Sequence, residues 1–453
     1  MQVQATNTRP RFEVVADGQG ICSHVGAALL GELADRLGLT AELGRRANRG
    51  VRGGSHDRGQ VLRDLVVMLA DGGDAISDLA TLRDQPDLFG QVASTPTAWR
   101  IIGQVAADPS GIAALWSALA RARQRAWALG AAPAGPLLLD MDATLIDAHS
   151  DKQGAAPTYK QGFGFHPLGC WLDRDDGTGE ALAMILRPGN AGSNTAADHV
   201  DVLAMALLAL PKPARGRPIL VRADSAGATH AFVADIVARN LLFSIGFDCD
   251  QRVQAAIGAL DPDAWQPALD QDGRPRRGAW VAELCGLDLV GAGWPEGTRA
   301  ICRRERPHPG ARHKMGFTDA AGHRFQVFIT NQPDPDPAVL EARHRPHAHV
   351  EDRIRGAKAI GLRNLPFWGF AANDAWLSLV MIAQTLVCWA QVLLLDGDCK
   401  LAEPKTLRYR LWHVAGRIVR HARRLIVRVD RAWPWAAGLV TAFARLRALP
   451  ARC

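Results

Sequence analysis

No C-x-x-C pair occurs among the cysteines of this 453-residue chain, which stand at positions 22, 170, 249, 285, 302, 388, 399 and 453. This absence argues against a zinc ribbon or a thioredoxin-type site, and reduced thiols in a cytosol are the simpler interpretation. The chain also has no P-loop and no complete G-x-G-x-x-G, the glycine patterns that hold nucleotide phosphates. Its first residues, MQVQATNTRPRFEVVADG, contain no apolar segment, so no secretory signal is expected.

The composition that is present is that of a folded protein. Hydrophobic residues make up 48% of the chain and charged residues 22%, which excludes a disordered, collagen-like or disulfide-scaffold protein. The length predicts about three domains, or two domains with a large insertion.

Positive charge is in excess and is unevenly placed. Against 46 Asp and Glu there are 53 Lys and Arg, a net charge of +7, which favours a polyanionic partner. Between Glu403 and Cys453 twelve Lys or Arg face two acidic residues, so this segment alone carries +10.

One uncharged stretch is long enough to cross a membrane. It comprises the 21 residues between Asp374 and Asp396, AWLSLVMIAQTLVCWAQVLLL. Polar residues interrupt this stretch, and an acidic turn follows it at once. We therefore predict a buried core helix rather than a transmembrane span.

Residues 1–132 have the periodicity of short helices in series, joined by the basic connector RRANRGVRGG. Such a region, with Arg45, Arg46, Arg49 and Arg52 in the connector, is typical of a DNA-contacting domain. It is equally compatible with a helical cap domain that has a solvated loop.

The remainder divides into four segments. Residues 133–248 predict the order β-β-β-α-β-α-β, hence an α/β fold with a mixed sheet flanked by helices. Residues 249–325 are rich in Gly, Pro and Trp and predict a β-rich inserted subdomain. Residues 326–400 predict a helical second part of the core, and 401–453 a basic helical C-terminal region.

Three acidic residues from separate elements are placed where a metal site could form. Asp142 lies at the end of the first predicted strand, and Asp140 shares its face because strand side chains alternate. Asp224 ends the strand ILVRAD, and Glu351 lies on a later helix. Carboxylates suit Mg²⁺ or Mn²⁺, so the trio could hold two ions for phosphoryl chemistry. Taken singly, the aspartates could be capping residues, and Glu351 could be a surface residue paired with Arg355.

Five segments, in this order, resemble the DDE transposases of bacterial insertion sequences: ADGGDAISDLATLRDQPDLFG, LDMDATLID, VRADSAGAT, HAHVEDRIRGAK and GLRNLPFWGFAANDAWLSLVMIAQTLVCWA. Within that group the chain is most similar to insertion-sequence family thirteen-eighty, which is related to family four. The resemblance covers most of the chain and is weakest in the insertion and after Pro404. It implies a ribonuclease-H-like catalytic core in which Asp142, Asp224 and Glu351 are the catalytic residues and the ligands of two divalent ions.

The chain departs from the related family's pattern at two positions. The pattern Y-x-x-R-x-x-x-E, followed by lysine seven residues later, would place Tyr and Arg where this chain has His344 and His347. The lysine is retained as Lys358. The sequence therefore does not identify which side chains would hold a flipped base or a phosphate near the cut end. With His349, these histidines also form H-x-x-H and H-x-H spacings that could bind zinc, although Pro346 interrupts the first pair.

The resemblance implies cut-and-paste transposition in a bacterial cytoplasm, at the nucleoid. Two Mg²⁺ or Mn²⁺ ions would support cleavage and strand transfer, and Arg222, Arg353 and Lys358 would neutralise phosphates. The N-terminal helices would read terminal inverted repeats in double-stranded DNA, and synapsis of two ends implies at least a dimer on DNA.

Three other interpretations remain open from the sequence. A structure-selective nuclease of the same fold would cut DNA without joining it. A DNA-binding regulator derived from a transposase would have a dead site, and the intact acidic trio argues against this. A membrane protein anchored by residues 375–395 is the third.

Overall fold

The computed structural model describes residues 12–49, 56–174, 176–214, 216–306, 319–320, 322–422 and 424–450. Arg52 of the basic connector lies outside these residues. The helices are α1 Ala27–Arg36, α2 Leu39–Ala47, α3 Arg58–Ala70, α4 Ala80–Arg83, α5 Pro86–Phe89, α6 Thr95–Ala107, α7 Gly111–Ala126, α8 Ala196–Ala209, α9 His230–Ala238, α10 Gln251–Gly258, α11 Pro337–His344, α12 His349–Ala357, α13 Phe370–Leu394, α14 Pro404–Leu407 and α15 Ala436–Ala448.

The strands form three sheets. They are β1 Ile21–Cys22, β2 Leu137–Ala143, β3 Ile146–Asp147, β4 Ala156–Pro157, β5 Phe163–Phe165, β6 Leu168–Asp173, β7 Gly179–Ile185, β8 Ile219–Ala223, β9 Leu242–Phe247, β10 Gln266–Leu269, β11 Pro275–Glu283, β12 Arg299–Glu305, β13 Asp319–Ala320, β14 His323–Thr330, β15 Gly416–His421 and β16 Arg424–Val429. The main sheet has ten strands, ordered β10-β11-β12-β14-β9-β8-β2-β6-β7 with β13 paired to β14. The small sheets are β1-β15-β16 and β3-β5-β4.

The centre of the main sheet has the predicted mixed topology. Strands β2, β6 and β7 are antiparallel neighbours, whereas β8 runs parallel to both β2 and β9. Helix α8 connects β7 to β8, and α9 connects β8 to β9. The predicted order β-β-β-α-β-α-β is therefore confirmed. Because β2 and β8 are parallel neighbours, their carboxyl ends meet at one edge of the sheet.

The insertion continues the main sheet. Strand β14 pairs with β9 through Val327↔Phe247 to Thr330↔Ser244, and β12, β11 and β10 follow outward. The β-rich character predicted for residues 249–325 is present. These strands extend the main sheet through backbone hydrogen bonds, so the insertion is joined to the core sheet.

The C-terminal region is only partly helical, which corrects the expectation for residues 401–453. Strands β15 and β16 form an antiparallel hairpin, and β15 also pairs with β1 through Ile21↔Arg417. Helix α15 follows and packs against α13 and α1. The first and last described segments of the chain are thus brought together.

Helix α13 lies in the middle of the molecule. It packs against α1, α3, α6, α7, α15 and β7, and 89% of its most apolar 18-residue stretch is buried in the protein. Its polar side chains have partners inside the protein: Gln384 Oε1 accepts from Trp171 Nε1 at 3.0 Å, and Gln384 Nε2 donates to the Arg353 carbonyl at 2.6 Å. The prediction of a core helix is confirmed. By length and hydropathy alone, this is also one helix that could span a membrane.

Candidate active site

The site begins with two side-chain pairs on the neighbouring parallel strands β2 and β8. The ladder pairs Asp140 with Arg222 and Met141 with Ala223, so Asp142 and Asp224 follow at the same level. The alternation of side chains places both pairs on one face. The inner pair joins opposite charges, whereas the pair at the strand ends brings two carboxylates together.

Helix α12 supplies the third acidic side chain. A 3₁₀ turn, Arg345–Ala348, leads into α12, and Glu351 lies in its first turn. The helix packs against β2 and β6. It therefore places Glu351 at the edge where Asp142 and Asp224 end their strands.

The electrostatics show that the three carboxylates interact. Burial, together with the negative charges of Asp224 and Glu351, raises the pKa of Asp142 to about 6. The only hydrogen bond recorded for the Asp142 carboxylate in the described residues is from the Ala143 N–H, at 2.7 Å. Asp224 is exposed and caps the turn Ser225–Gly227 by accepting from Ala226 N at 3.1 Å. The trio is thus a cluster of negative charge with spare oxygen ligands.

The oxygen atoms of the trio are not gathered into one tight cage. Among the described residues, Asp142, Asp224 and Glu351 do not form a group whose ligand atoms all lie within 4.8 Å of one another. Oxygen donors of this kind suit hard divalent cations, and an arrangement wider than a single-ion cage suits two ions that share ligands. The donor chemistry of the trio therefore fits hard divalent cations.

A buried ion network lies directly beneath the trio. Arg222 is 0% exposed and donates to both carboxylate oxygens of Asp140, at 2.7 and 2.6 Å, and to Asp173 at 2.8 Å. Burial opposes ionisation of Asp140, but the charge of Arg222 and the hydrogen bond from His347 outweigh it and lower its pKa. The network holds β2, β6 and β8 together behind the outer carboxylates.

The histidines of the H-x-x-H and H-x-H spacings have separate partners. His347 Nδ1 donates to Asp140 at 2.9 Å, and His349 Nδ1 lies 3.4 Å from Asp173. His344 bonds to Ser244 Oγ at 2.9 Å and stacks on Phe328 with ring centroids 4.3 Å apart. Burial lowers the pKa of His344 to about 3, so its ring is neutral at pH 7. The zinc interpretation of these histidines is not supported, and His347 instead ties the turn before Glu351 to the buried network.

Two of the arginines predicted to contact phosphates are occupied inside the protein. Arg222 belongs to the buried network, so its assignment as a DNA contact is wrong. Arg353 is 16% exposed and donates to the carbonyls of Gly177 and Thr178, both at 2.8 Å, so it too is engaged within the fold. Burial at these positions is not visible in the sequence, because a strand-end arginine and a helix arginine are usually exposed.

Lys358 does lie near the acidic trio. It follows α12, is half-buried, and interacts electrostatically with Asp147 and Asp142. Burial lowers the pKa of its ammonium group. A phosphate contact by Lys358 stays a prediction.

The N-terminal arginines lie at the end of α2. Arg45 is exposed and 3.5 Å from Glu42, and Arg49 is exposed. Arg46 donates twice to Asp108, each time at 2.7 Å, so this side chain is engaged within the protein. DNA binding by this helix end stays a prediction.

A cavity of about 500 Å³ opens beside the trio. Asp224 and Glu351 line it, together with His347 and with Arg303 and Glu341, which form an ion pair at 2.7 Å.

Strand β9 closes one side of this cavity. Gly246 lines it, and a side chain there would meet the backbone of Ser225 and Asp224 at 2.8 and 3.0 Å. Sequence reasoning missed both the Asp140 network and Gly246. The charge pattern D-x-D facing R-x-D was the available signal for the network.

Two strand-end carboxylates and a helix glutamate thus meet at one edge of the main sheet, in the segments that resemble DDE transposases. The family model described as "Transposase DDE domain group 1" matches residues 4–451, and the chain belongs to this family. Among curated proteins, none matches the chain. One solved structure, the piggyBac transposase synaptic complex with hairpin DNA, is similar to it at 10% identity and a TM-score of 0.39, covering 86% of this chain and 80% of that chain.

Proposed function

We propose that this DDE-family transposase cuts and joins DNA at the terminal inverted repeats of an insertion sequence, by a cut-and-paste route. The observation that carries the proposal is the convergence of Asp142, Asp224 and Glu351 from β2, β8 and α12 beside an open cavity. The central strand order β7-β6-β2-β8-β9, with two parallel pairs, supports a ribonuclease-H-like core.

Asp142, Asp224 and Glu351 would hold the metal ions that the family implies. Two bound Mg²⁺ or Mn²⁺ ions would supply activation of the attacking oxygen and stabilisation of the leaving oxygen in an in-line phosphoryl displacement. The raised pKa of Asp142 supports this role, because unneutralised carboxylates at the site favour cation binding.

The other residues act on the substrate and on the position of the carboxylates. Lys358 places a positive charge beside Asp142, where it can hold a phosphate oxygen of the scissile strand. The hydrogen bond from His347 to Asp140 holds the turn before α12 against β2. Because Glu351 lies in the first turn of α12, the same bond helps to determine the position of Glu351. Double-stranded DNA is the proposed partner, and pairing of two transposon ends implies a dimer on DNA.

The proposal predicts separate effects on catalysis and on binding. We expect Asp142→Asn, Asp224→Asn and Glu351→Gln each to abolish metal-dependent cleavage of end-repeat DNA, because each removes a ligand. Binding should be unchanged or slightly tighter, because it depends on Lys and Arg contacts. The measurement is cleavage and strand transfer on DNA carrying the element's ends, with binding followed by gel shift in parallel.

The same assay separates the alternatives. A nuclease of the same fold would cut the ends without joining them to a target, and a regulator would bind without cutting. Full activity of the Glu351→Gln protein would show that the trio is not the catalytic site.

A further inference from the structure

A second cluster of metal-ligating side chains lies outside the acidic trio. His24 follows β1, Asp71 caps the end of α3, and His413 precedes β15. Their ligand atoms all lie within 4.8 Å of one another. We propose that these three residues bind one divalent transition-metal ion of the zinc class.

The Asp71 carboxylate lies between the two imidazoles. His24 Nδ1 lies 2.6 Å from Asp71 Oδ2, and His413 Nε2 lies 3.2 Å from Asp71 Oδ1. The Asp71 side chain is 4% exposed, so its two oxygens lie in the interior, each next to one histidine nitrogen. One ion at this place could contact all three side chains.

The backbone holds the two histidines in place without help from an ion. The chain next to His24 pairs with the chain around His413, through Val25 N to Val414 O at 3.1 Å and Gly26 N to Trp412 O at 3.2 Å. The two imidazole rings consequently lie 4.2 Å apart, centroid to centroid, at an angle of 48°. The ligands are therefore preorganised, which reduces the entropy that binding would cost.

The donor set defines the class of ion. Two imidazoles and one carboxylate suit zinc and similar transition metals, whereas Mg²⁺ prefers oxygen donors alone. His413 is 40% exposed, so a further coordination position is open to solvent. The nearby cation, Arg408, donates to the Ala359 carbonyl at 3.0 Å. Burial opposes ionisation of Asp71, but hydrogen bonds from His24 and His413 lower its pKa, so the carboxylate is in its ligating form at pH 7.

His413 Nε2 also donates to the backbone carbonyl of Asp71 at 2.9 Å. Binding of an ion at this nitrogen would replace the proton, so affinity should fall as the pH is lowered. A bound ion would fasten the first described segment and the C-terminal hairpin to α3. This role is structural and does not depend on the chemistry at Asp142.

The test is a Zn²⁺ titration of chelator-treated full-length protein, read by competition with a chromophoric chelator and by the visible absorption of Co²⁺. We expect about one tight equivalent per chain in the wild type. Affinity should fall at least 100-fold in Asp71→Asn and in His413→Gln, since a ligand contributes more than the roughly 10–100-fold of an outer-shell partner. His421→Gln, which alters an exposed histidine of the hairpin, is the matched control and should bind like the wild type.

A second measurement covers variants that fold poorly. Zn²⁺ should raise the thermal midpoint of the wild type and of Asp142→Asn, because an ion that binds only the folded state stabilises it. Retention of this rise in Asp142→Asn would show that the ion is not at the acidic trio. Absence of a tight Zn²⁺ equivalent in the wild type, or equal binding by His413→Gln, would overturn the proposal.

Discussion

At the scale of single residues, charge alternates along one face of the β2 and β8 pair. Asp140 faces Arg222 and is neutralised in the interior, whereas Asp142 faces Asp224 at the strand ends and has no cation in direct contact within the described structure. Neighbouring positions on the same strand thus have opposite electrostatic roles. The inner aspartate neutralises the buried Arg222, and the charge of the outer aspartate opposes folding, as is common for residues at functional sites.

This contrast predicts opposite effects of two identical substitutions on stability. Asp140→Asn leaves the buried Arg222 with one carboxylate fewer and should cost roughly 3 kcal/mol, the range for breaking a buried ion pair. Asp142→Asn removes a carboxylate that Asp224 and Glu351 repel, and should stabilise the metal-free protein by roughly 1–3 kcal/mol. The measurement is urea unfolding of both variants in the presence of a chelator.

His349→Gln is the matched control, because its ring is half-exposed and lies 3.4 Å from Asp173. It should change stability by less than about 0.5 kcal/mol. Similar losses of stability in Asp140→Asn and Asp142→Asn would contradict the assignment of separate roles.

The sequence alone predicts which secondary-structure elements carry the acidic trio. It does not predict which side chains surround each of these residues. Asp142 and Asp224 can be placed because apolar runs followed by polar residues mark strand ends. The sequence contains the D-x-D and R-x-D charge patterns, but it does not show that β2, β6 and β8 are adjacent, so the burial of Arg222 among their aspartates does not follow from it. Pairing across a sheet depends on register, which local patterns do not determine.

At the scale of secondary-structure elements, β9 supports the site through close backbone packing. Gly246 lies on β9 opposite Phe328, and no side chain fits between it and the backbone of Asp224. Gly246→Ala should therefore displace Asp224, and we expect cleavage to slow by roughly 10–100-fold, since a misplacement of about 1 Å can have this effect. DNA binding should change little.

The matched control for Gly246→Ala is Gly258→Ala at the end of α10, where an added methyl group meets nothing within 4 Å. Single-turnover cleavage rates of the two variants give the comparison. A normal rate for Gly246→Ala would show that β9 does not determine the position of Asp224.

Helix α13 contains a carboxylate whose charge opposes folding. Burial raises the pKa of Asp374 from 3.8 to about 6, and its Oδ1 has no hydrogen-bond partner in the described structure. When folding raises the pKa of an acidic group, the protein becomes less stable as the pH increases from the unfolded value to the folded value. The full loss of folding free energy is therefore present above pH 6. Asp374→Asn should thus gain roughly 1–3 kcal/mol over the wild type at pH 8 and nothing near pH 4.

Denaturant unfolding at pH 4, 6 and 8 measures this gain. Asp396→Asn, at the other end of α13, is the control, because Asp396 is exposed and ion-paired with Arg445. It should show no gain at any of these pH values. A gain for Asp374→Asn that is independent of pH would disprove the electrostatic explanation.

The C-terminal hairpin shows where a local pattern misleads. The segments GRIVRH and RLIVRV contain β-branched residues in two short runs, a strand pattern, but the density of arginine suggests a basic helix. The two segments pair with each other, and β15 also pairs with β1, almost four hundred residues earlier. Such long-range pairing cannot be inferred from a single sequence without knowledge of the contacts.

At the scale of the whole molecule, the positive charge has a definite location. Arg417 and Arg428 are directly opposite one another in the hairpin, and with Arg420 and Arg424 they are exposed. Like charges opposite one another destabilise a hairpin, and a polyanion would relieve this repulsion. We therefore expect the hairpin to contact DNA phosphates.

Replacement of these four arginines by glutamine should flatten the dependence of log affinity on log salt by about 0.9 for each phosphate that is no longer neutralised. Substitution is preferable to deletion of residues 404–453, because α15 and β15 are part of the core and of the β1 sheet. The control is Arg239→Gln with Arg252→Gln, two arginines that are paired with Asp235 and Asp250. If the slope of log affinity against log salt is unchanged in the fourfold variant, the hairpin arginines do not contact DNA and only keep this surface hydrated.

The central position of α13 has a consequence for how the protein is made. Helices α1, α3, α6 and α7 all pack on α13, which is complete only about 270 residues after α7 ends. At about 5–20 residues per second on the ribosome, α13 is complete roughly 13 to 54 s after α7, and the interval is longer for α1, α3 and α6. Strand β1 precedes its partner β15 by a longer interval still. These four helices pack partly on one another, but they lack their common partner until α13 has been made. We therefore expect a chain that ends before α13 to be less stable and more easily cleaved by proteases than the whole protein.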